Sequence, residues 1–265
     1  MAEVLATAGV AIAALMLTTW VISGIVGNAS IVDLMWGLGF VLVAWTVYLR
    51  FGPEPGADSS NRLGPLLPTI LTTLWGLRLS AYLTWRNAGK GEDFRYRAMR
   101  EKQGTRFFAV SLLSVFGLQG LLMWVVSLPV QASVSRPAAT AGFRWLAISG
   151  TVLWSIGFLF ETIGDLQLAR FRAASETGNT VMDRGLWRYT RHPNYFGDCC
   201  VWWGLYLFAL DAGHWWTIAG PAVMTALLTR YSGAGLLEKT IVDRRPGYRE
   251  YMDKTSPFVP LPPRA

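Results

Sequence analysis

The sequence predicts an all-α polytopic membrane protein with about seven transmembrane helices, its N-terminus outside and its C-terminus cytoplasmic. Three observations carry this prediction. Hydrophobic residues fill 52% of the 265 positions and charged residues only 15%, against roughly 25% charged in an ordinary soluble domain. Apolar runs of the ~20-residue length that a helix needs to cross a bilayer recur along the chain. The Lys and Arg residues collect between those runs on one side.

The first run, Val4–Val26, has no basic stretch before it and is long enough to span, so it reads as a helix rather than a cleaved leader. Ile31–Phe51, Leu66–Thr84, Phe107–Leu128 and Phe143–Leu166 follow as the second to fifth spans. Phe196–Leu210 and Trp215–Thr229 are shorter, at 15 residues each, and read as tilted spans or a re-entrant pair. No internal repeat, low-complexity tract or linker divides the chain, so residues 1–265 are expected to form one integral-membrane domain.

With the N-terminus outside, the inner face receives seven Lys or Arg residues between Trp85 and Arg106, five between Gln167 and Tyr195, and seven from Arg230 onward. Arg50, Arg62, Arg136 and Arg144 fall on the other side, and Arg78 lies within a span. The formal net charge of +7 therefore follows topology and contact with anionic lipid, and nucleic acid is not an expected partner. The only cysteines, Cys199 and Cys200, are adjacent, which excludes a disulfide framework. With His192 and His214 as the only histidines, no metal-site spacing arises and no metal is expected.

Ionisable residues inside apolar spans are expensive and point to function. Asp33 lies early in the second span, in "SIVDLMWGLGF", and is a candidate proton donor, or the partner of Arg78. Tyr82 is four residues after Arg78, on the same helical face, where its hydroxyl can pack or polarise a carbonyl. Glu161 and Asp165 are likewise spaced i, i+4 at the inner end of the fifth span. That position favours binding a soluble ligand over acid–base chemistry.

The stretch "GLWRYTRHPNYFGD", Gly185–Asp198, stands just before the sixth apolar run. Arg188 and Arg191 supply cationic forks suited to phosphate. His192, Asn194 and Tyr195 supply mixed donors and acceptors, and Asp198 an acceptor. Pro193 and Gly197 are expected to break regular helix and free backbone groups. The whole reads as a pocket for a polar cofactor head at the membrane surface, with a self-satisfied turn as the alternative.

These residues carry a resemblance. "RHPNYFGD", preceded by "GLWRYT" and "GDLQLARFR", resembles the steroid 5-alpha-reductase superfamily, in particular its bacterial branch of membrane proteins. "SIVDLMWGLGF", "WGLRLSAYLTWRNAGKGEDFRY" and the tail "EKTIVDRRPGYREYMDKTSPFVP" extend the resemblance from about Ser30 to Pro260. The "RHPNYFG" core is also similar to isoprenylcysteine carboxyl methyltransferases, in which it helps bind S-adenosylmethionine.

The reductase resemblance implies a seven-helix enzyme of the bacterial inner membrane. It implies NADPH bound from the cytoplasmic side and hydride transfer to an activated carbon–carbon double bond of a lipophilic enone. Asp165, Arg172, Asn194 and Asp198 match cofactor-contacting positions of the family. Glu161 stands where the steroid enzymes carry Asn, Tyr195 belongs to the same motif, and Glu238 falls near a cofactor-contacting tail position. Arg172, Arg188, Arg191 and tail arginines are expected at the phosphates. On the substrate side the resemblance implies an acid on the second helix and a Tyr, roles that Asp33 and Tyr82 would fill. The competing readings are an S-adenosylmethionine-dependent methyltransferase of a membrane lipid or prenylated substrate, and a lipid-binding or transport protein.

Overall fold

In the computed structural model, residues 1–54, 59–135, 145–174, 180–231, 238, 241–242 and 245–264 are described. Among them the only regular structure is helical. Four helices are long and apolar enough to cross a membrane: Ala2–Val26, Ile31–Phe51, the continuous Phe94–Val126, and Trp145–Ala174. Phe143, where the fifth span was expected to begin, and Arg136, Arg144, Lys239 and Arg244 lie outside the described residues. The chain divides into two compact units, Met1–Phe143 with Phe208–Gly220, and Arg144–Leu207 with Pro221–Ala265.

The first unit is built on α1 (Ala2–Val26), α2 (Ile31–Phe51) and α3 (Ser59–Asn87). Gly27 ends α1 at φ 69°, in the left-handed conformation that glycine adopts without strain, and its N–H caps the carbonyl of Ser23. The turn to α2 is closed by Asn28 Oδ1, which accepts from the Ser30 amide at 2.9 Å. Where α2 crosses α3, Gly37 and Gly76 face each other so closely that a Cβ on Gly76 would stand 2.5 Å from the Gly37 carbonyl oxygen. Small residues let helix backbones approach in this way when the surrounding lipid supplies no hydrophobic drive. Phe40 and Trp75 meet edge to face across the crossing, ring centroids 5.6 Å apart, and both are fully buried.

The segment expected as a basic loop between Trp85 and Arg106 is partly helical. Asp93 accepts from the Arg95 amide at 2.9 Å and caps α4 (Phe94–Gln103). One 3₁₀ turn at Gly104–Arg106 leads into α5 (Phe107–Ser111), a wide π turn at Leu112–Gly117, α6 (Leu118–Val126) and the buried α7 (Leu128–Ser135). A π turn adds a residue to the helical repeat and rotates whatever follows, and Gln119 follows it directly.

The second unit is built on α8 (Trp145–Ala174) and α9 (Pro193–Asp211), then α10 (Ala219–Ala226), whose last residues lie in this unit, and α11 (Tyr248–Lys254). The expected seventh run is therefore composite: a 3₁₀ turn at Trp215–Ile218, α10, and a π turn at Leu227–Tyr231. On α8, Gly150, Gly157 and Gly164 recur every seven residues along one stripe. Added Cβ atoms there would stand 2.5 Å from the Gly197 oxygen (Gly157) and 3.1 Å from the Asn194 amide nitrogen (Gly164), and one on Gly204 would stand 2.7 Å from the Gly150 oxygen. The two helices thus touch backbone to backbone along their length.

Pro193 and Gly197 do not break the helix as expected; Pro193 opens it. Proline at the first helical position has no N–H to lose and a φ already suited to the turn, and Gly197 is where α9 presses on the backbone of Glu161.

Candidate functional site

In the second unit, the glycine stripe of α8 carries two acids with it. Glu161 and Asp165, on the face turned to α9, are only 3% and 5% exposed. Asn194, in the first turn of α9, donates its Nδ2 to Asp165 Oδ1 at 3.1 Å. Its other amide atom, Oδ1, is buried with no hydrogen-bond partner among the described residues. A buried polar acceptor left unsatisfied costs about 1–3 kcal/mol, so this oxygen is open to a donor that the described residues do not supply.

Directly beside it lies a buried ion cluster. Arg191 Nε is 2.9 Å and His192 Nε2 3.0 Å from the same oxygen of Glu238, and Arg191 Nη2 donates to the other carboxylate oxygen at 3.2 Å. Arg191 Nη1 donates to the Met252 carbonyl at 3.1 Å. The His192 ring stacks on Tyr195, centroids 5.4 Å apart and planes 7° from parallel. Burial, then the Glu238 carboxylate, pushes the phenol of nearby Tyr248 up to about 12. Arg172 and Arg188 are exposed, Asp198 half-buried.

The sequence-based site residues of this unit divide accordingly. Asp165 and Asn194 are brought together, as are Arg191, His192, Tyr195 and Glu238. Arg191, expected at a phosphate, is neutralised by Glu238 instead, because a guanidinium so buried cannot stay unpaired.

In the first unit, Asp33 is the centre of a second polar cluster. Tyr96 donates its hydroxyl to Asp33 Oδ1 at 2.7 Å, and Arg95 Nη2 donates to Asp33 Oδ2 at 2.9 Å. Gln119 Nε2 donates to the Tyr96 oxygen at 3.0 Å and to Asp33 Oδ1 at 3.3 Å. Arg95 Nε also holds Asp93 at 2.9 Å. The guanidinium at Asp33 is thus that of Arg95, where the sequence offered Arg78. The hydroxyl at Asp33 is that of Tyr96; Tyr82, expected to polarise a carbonyl, has its ring against Arg78, Arg86 and Trp85.

Neighbouring bonds tie this cluster to the α1–α2 turn. Glu92 accepts from the Ala29 amide at 2.8 Å and from Arg100 Nε and Nη2 at 2.9 and 2.8 Å. The Asp93 amide donates to Ser30 Oγ at 2.7 Å. The Arg100 hydrogen bonds hold the Glu92 carboxyl below its usual range despite its burial. Burial raises Asp93, but the Arg95 side chain and amide outweigh it, and its carboxyl too is lowered.

Tyr96 and Gln119 were not singled out from the sequence. Tyr96 lies inside the quoted "GEDFRY", but its register to Asp33 depends on the Asp93 cap. Gln119 depends on the π turn, which leaves no composition signal.

The described residues thus form a helical protein with helices of membrane-spanning length, an Asn194 acceptor without a hydrogen-bond partner among them, and an Asp33–Tyr96–Gln119 cluster. The chain belongs to the family described as protein of unknown function (DUF1295), whose pattern matches residues 19–255, within the steroid 5-alpha-reductase superfamily. It is 26% identical over 269 aligned residues to an uncharacterized protein of Schizosaccharomyces pombe, covering 91% of this chain and 75% of that one. It is 35% identical over 82 residues to 3-oxo-5-alpha-steroid 4-dehydrogenase 1 of Bos taurus, and 32% identical over 87 residues to that of Rattus norvegicus. Those alignments cover 29% and 31% of this chain, and 30% and 31% of the two enzymes. No solved structure matches the chain.

Proposed function

We propose that the protein is an NADPH-dependent membrane reductase acting on an activated carbon–carbon double bond of a lipophilic, steroid- or isoprenoid-like enone, as one enzyme of a bacterial inner membrane with its cofactor side facing the cytoplasm. The observation that carries this reading is the open acceptor of Asn194, in a chain locally similar to enzymes named for 3-oxo-5-alpha-steroids. A nicotinamide, when bound, supplies the hydride. Asn194 Oδ1 would accept from the carboxamide, with Asp165 holding the Asn194 side chain by its other atom. Arg172 and Arg188, exposed at the same end of the unit, would meet phosphates, with Glu161 and Asp198 accepting from ribose hydroxyls. The N-terminal turn of α9 adds the positive end of a helix dipole.

The polar cluster of the first unit would bind a carbonyl group by its own chemistry. Tyr96 has one proton, now directed at Asp33, and Gln119 donates to its oxygen. A carbonyl placed at Tyr96 would take that proton as a hydrogen bond in place of Asp33, which is the kind of donor that stabilises a developing oxyanion. Arg95 would hold the Asp33 carboxylate in place once the phenol proton has turned to the carbonyl.

The test is ligand-induced stabilisation of the detergent-purified protein by NADPH, NADH and S-adenosylmethionine, in wild type and Asn194→Ala. A ligand at 100 times its Kd stabilises by about 2.7 kcal/mol. Stabilisation by NADPH, lost in the variant, is expected; stabilisation by S-adenosylmethionine alone overturns the reading. A methyl-donor site is the second reading because Arg191 is already neutralised by Glu238, which lowers the positive charge left for phosphates.

A further inference from the structure

The residues that carry the "RHPN" motif are not held by α9 alone. Trp187 donates its indole Nε1 to the Gly164 carbonyl of α8 at 3.1 Å, and the Leu186 amide donates to Gln167 Oε1 at 3.0 Å. Gly164 immediately precedes Asp165, the partner of Asn194. On its other side the same segment is strapped by the C-terminal tail. Tyr251 donates its hydroxyl to the Trp187 carbonyl. The Arg191 amide donates to the Ser256 carbonyl at 2.9 Å, Thr190 Oγ1 to the Phe258 carbonyl at 2.8 Å, and the Leu261 amide to the Tyr189 carbonyl at 3.0 Å. As the tail number rises from 256 to 261 the partner number falls from 191 to 189, so the two stretches run antiparallel.

The tail's composition suits this use. Pro257, Pro260, Pro262 and Pro263 have no N–H and a fixed φ, so the tail is stiff and loses little entropy on docking. Its carbonyls face the motif as acceptors. Tyr251, 8% exposed, has its phenol raised by burial and stays protonated as a donor.

We propose that this strap is a positioning element of the ligand site, with Tyr251 and Trp187 as the residues that transmit it. Tyr251 fixes the Trp187 carbonyl, the Trp187 indole fixes the Gly164 carbonyl, and Gly164 sets the Asp165 carboxylate against Asn194. Neither aromatic residue touches the ligand. The inference rests on the cofactor reading above for its ligand, and on the hydrogen bonds alone for its mechanics.

The experiment measures the Kd for NADPH and the unfolding midpoint of the ligand-free full chain in detergent for wild type, Tyr251→Phe, Trp187→Phe and Trp154→Phe. Trp154 is a buried α8 residue stacked on Phe158 and outside the relay; it reports what lost stability alone does to affinity. Tyr251→Phe and Trp187→Phe are each expected to weaken NADPH about five-fold, the equivalent of one net hydrogen bond, while Trp154→Phe at a comparable midpoint does not. Unchanged affinity in Tyr251→Phe, or a loss no larger than Trp154→Phe gives, overturns the strap's role. If wild type binds neither NADPH nor S-adenosylmethionine, the cofactor reading fails on its own. The strap is then read from amide exchange over residues 187–194 of the ligand-free protein, which must quicken in Tyr251→Phe; unchanged exchange sinks it.

Discussion

Tyr96 and Asp33, 63 residues apart in sequence, share a 2.7 Å hydrogen bond in which the phenol is the donor. The carboxylate has a second partner in Arg95 and the phenol a second partner in Gln119. Each atom of the pair is therefore oriented twice over, and the Asp33 side chain remains 24% exposed. The Tyr96 residue itself is buried, at 6% exposure, and a ligand that takes the phenol proton must displace its bond to Asp33.

If that pair polarises a substrate carbonyl, Tyr96→Phe removes the donor and leaves the ring. Turnover of an enone by the purified protein is expected to fall about 10²–10³-fold, with NADPH affinity unchanged. Asp33→Asn keeps the shape but loses the charge that fixes the phenol, and is expected to fall less. Full turnover in Tyr96→Phe removes the residue from the mechanism.

Glu238 gathers Arg191 and His192 around one carboxylate, and the three side chains are mostly buried. Removing one partner of a buried pair leaves the other charge uncompensated, at about 3–5 kcal/mol. Glu238→Gln is accordingly expected to lower the unfolding midpoint markedly and to release Arg191. Should the released guanidinium then bind phosphate, affinity for NADPH relative to NADH would rise in the variant that still folds. A midpoint within a degree of wild type contradicts the pairing.

Much of this architecture is legible in the sequence, and what is not has physical causes. The long apolar runs declare themselves because bilayer thickness fixes helix length. The motif and the resemblance single out Asp165, Asn194, Arg191, His192 and Glu238, but not the pairing of Arg191 and His192 with Glu238, which depends on where the tail folds back. The opening of α9 at Pro193 was misread because proline both breaks helices and starts them, and only its position relative to the first turn decides. The partners of Asp33 were missed because a capped helix and a π turn, each a local backbone event, bring Arg95, Tyr96 and Gln119 into reach.

Glu92 gives a pH prediction. Its carboxyl is held low chiefly by the Arg100 hydrogen bonds, from an ordinary value of 4.5. A depressed carboxylate contributes stability that is fully present above the unfolded value and is lost as pH falls through the lower folded one. Glu92→Gln should therefore destabilise by about 1–3 kcal/mol at neutral pH, and the gap to wild type should close as pH drops below 4.5. Chemical or thermal unfolding of both proteins between pH 7 and pH 3 checks this, and a gap independent of pH refutes it.

The closest test of the α8–α9 crossing compares two glycines that look alike in sequence. Gly197 lies in α9, where a Cβ would stand 2.5 Å from the Gly157 oxygen and 2.9 Å from the Glu161 Cα, all backbone atoms that cannot swing aside. Gly9 lies in α1, where the nearest atom to a Cβ is Trp124 Nε1 at 3.6 Å, an ordinary contact. Alanine is the better helix former by about 1 kcal/mol, so Gly9→Ala is expected to be neutral or stabilising. Gly197→Ala must push two helices apart, at about 1–3 kcal/mol. Because Glu161 and Asp165 ride on the displaced helix, it should also weaken ligand binding more than its loss of stability alone accounts for. Equal behaviour of the two variants in unfolding midpoint would mean that the helices do not meet at Gly157 and Gly197.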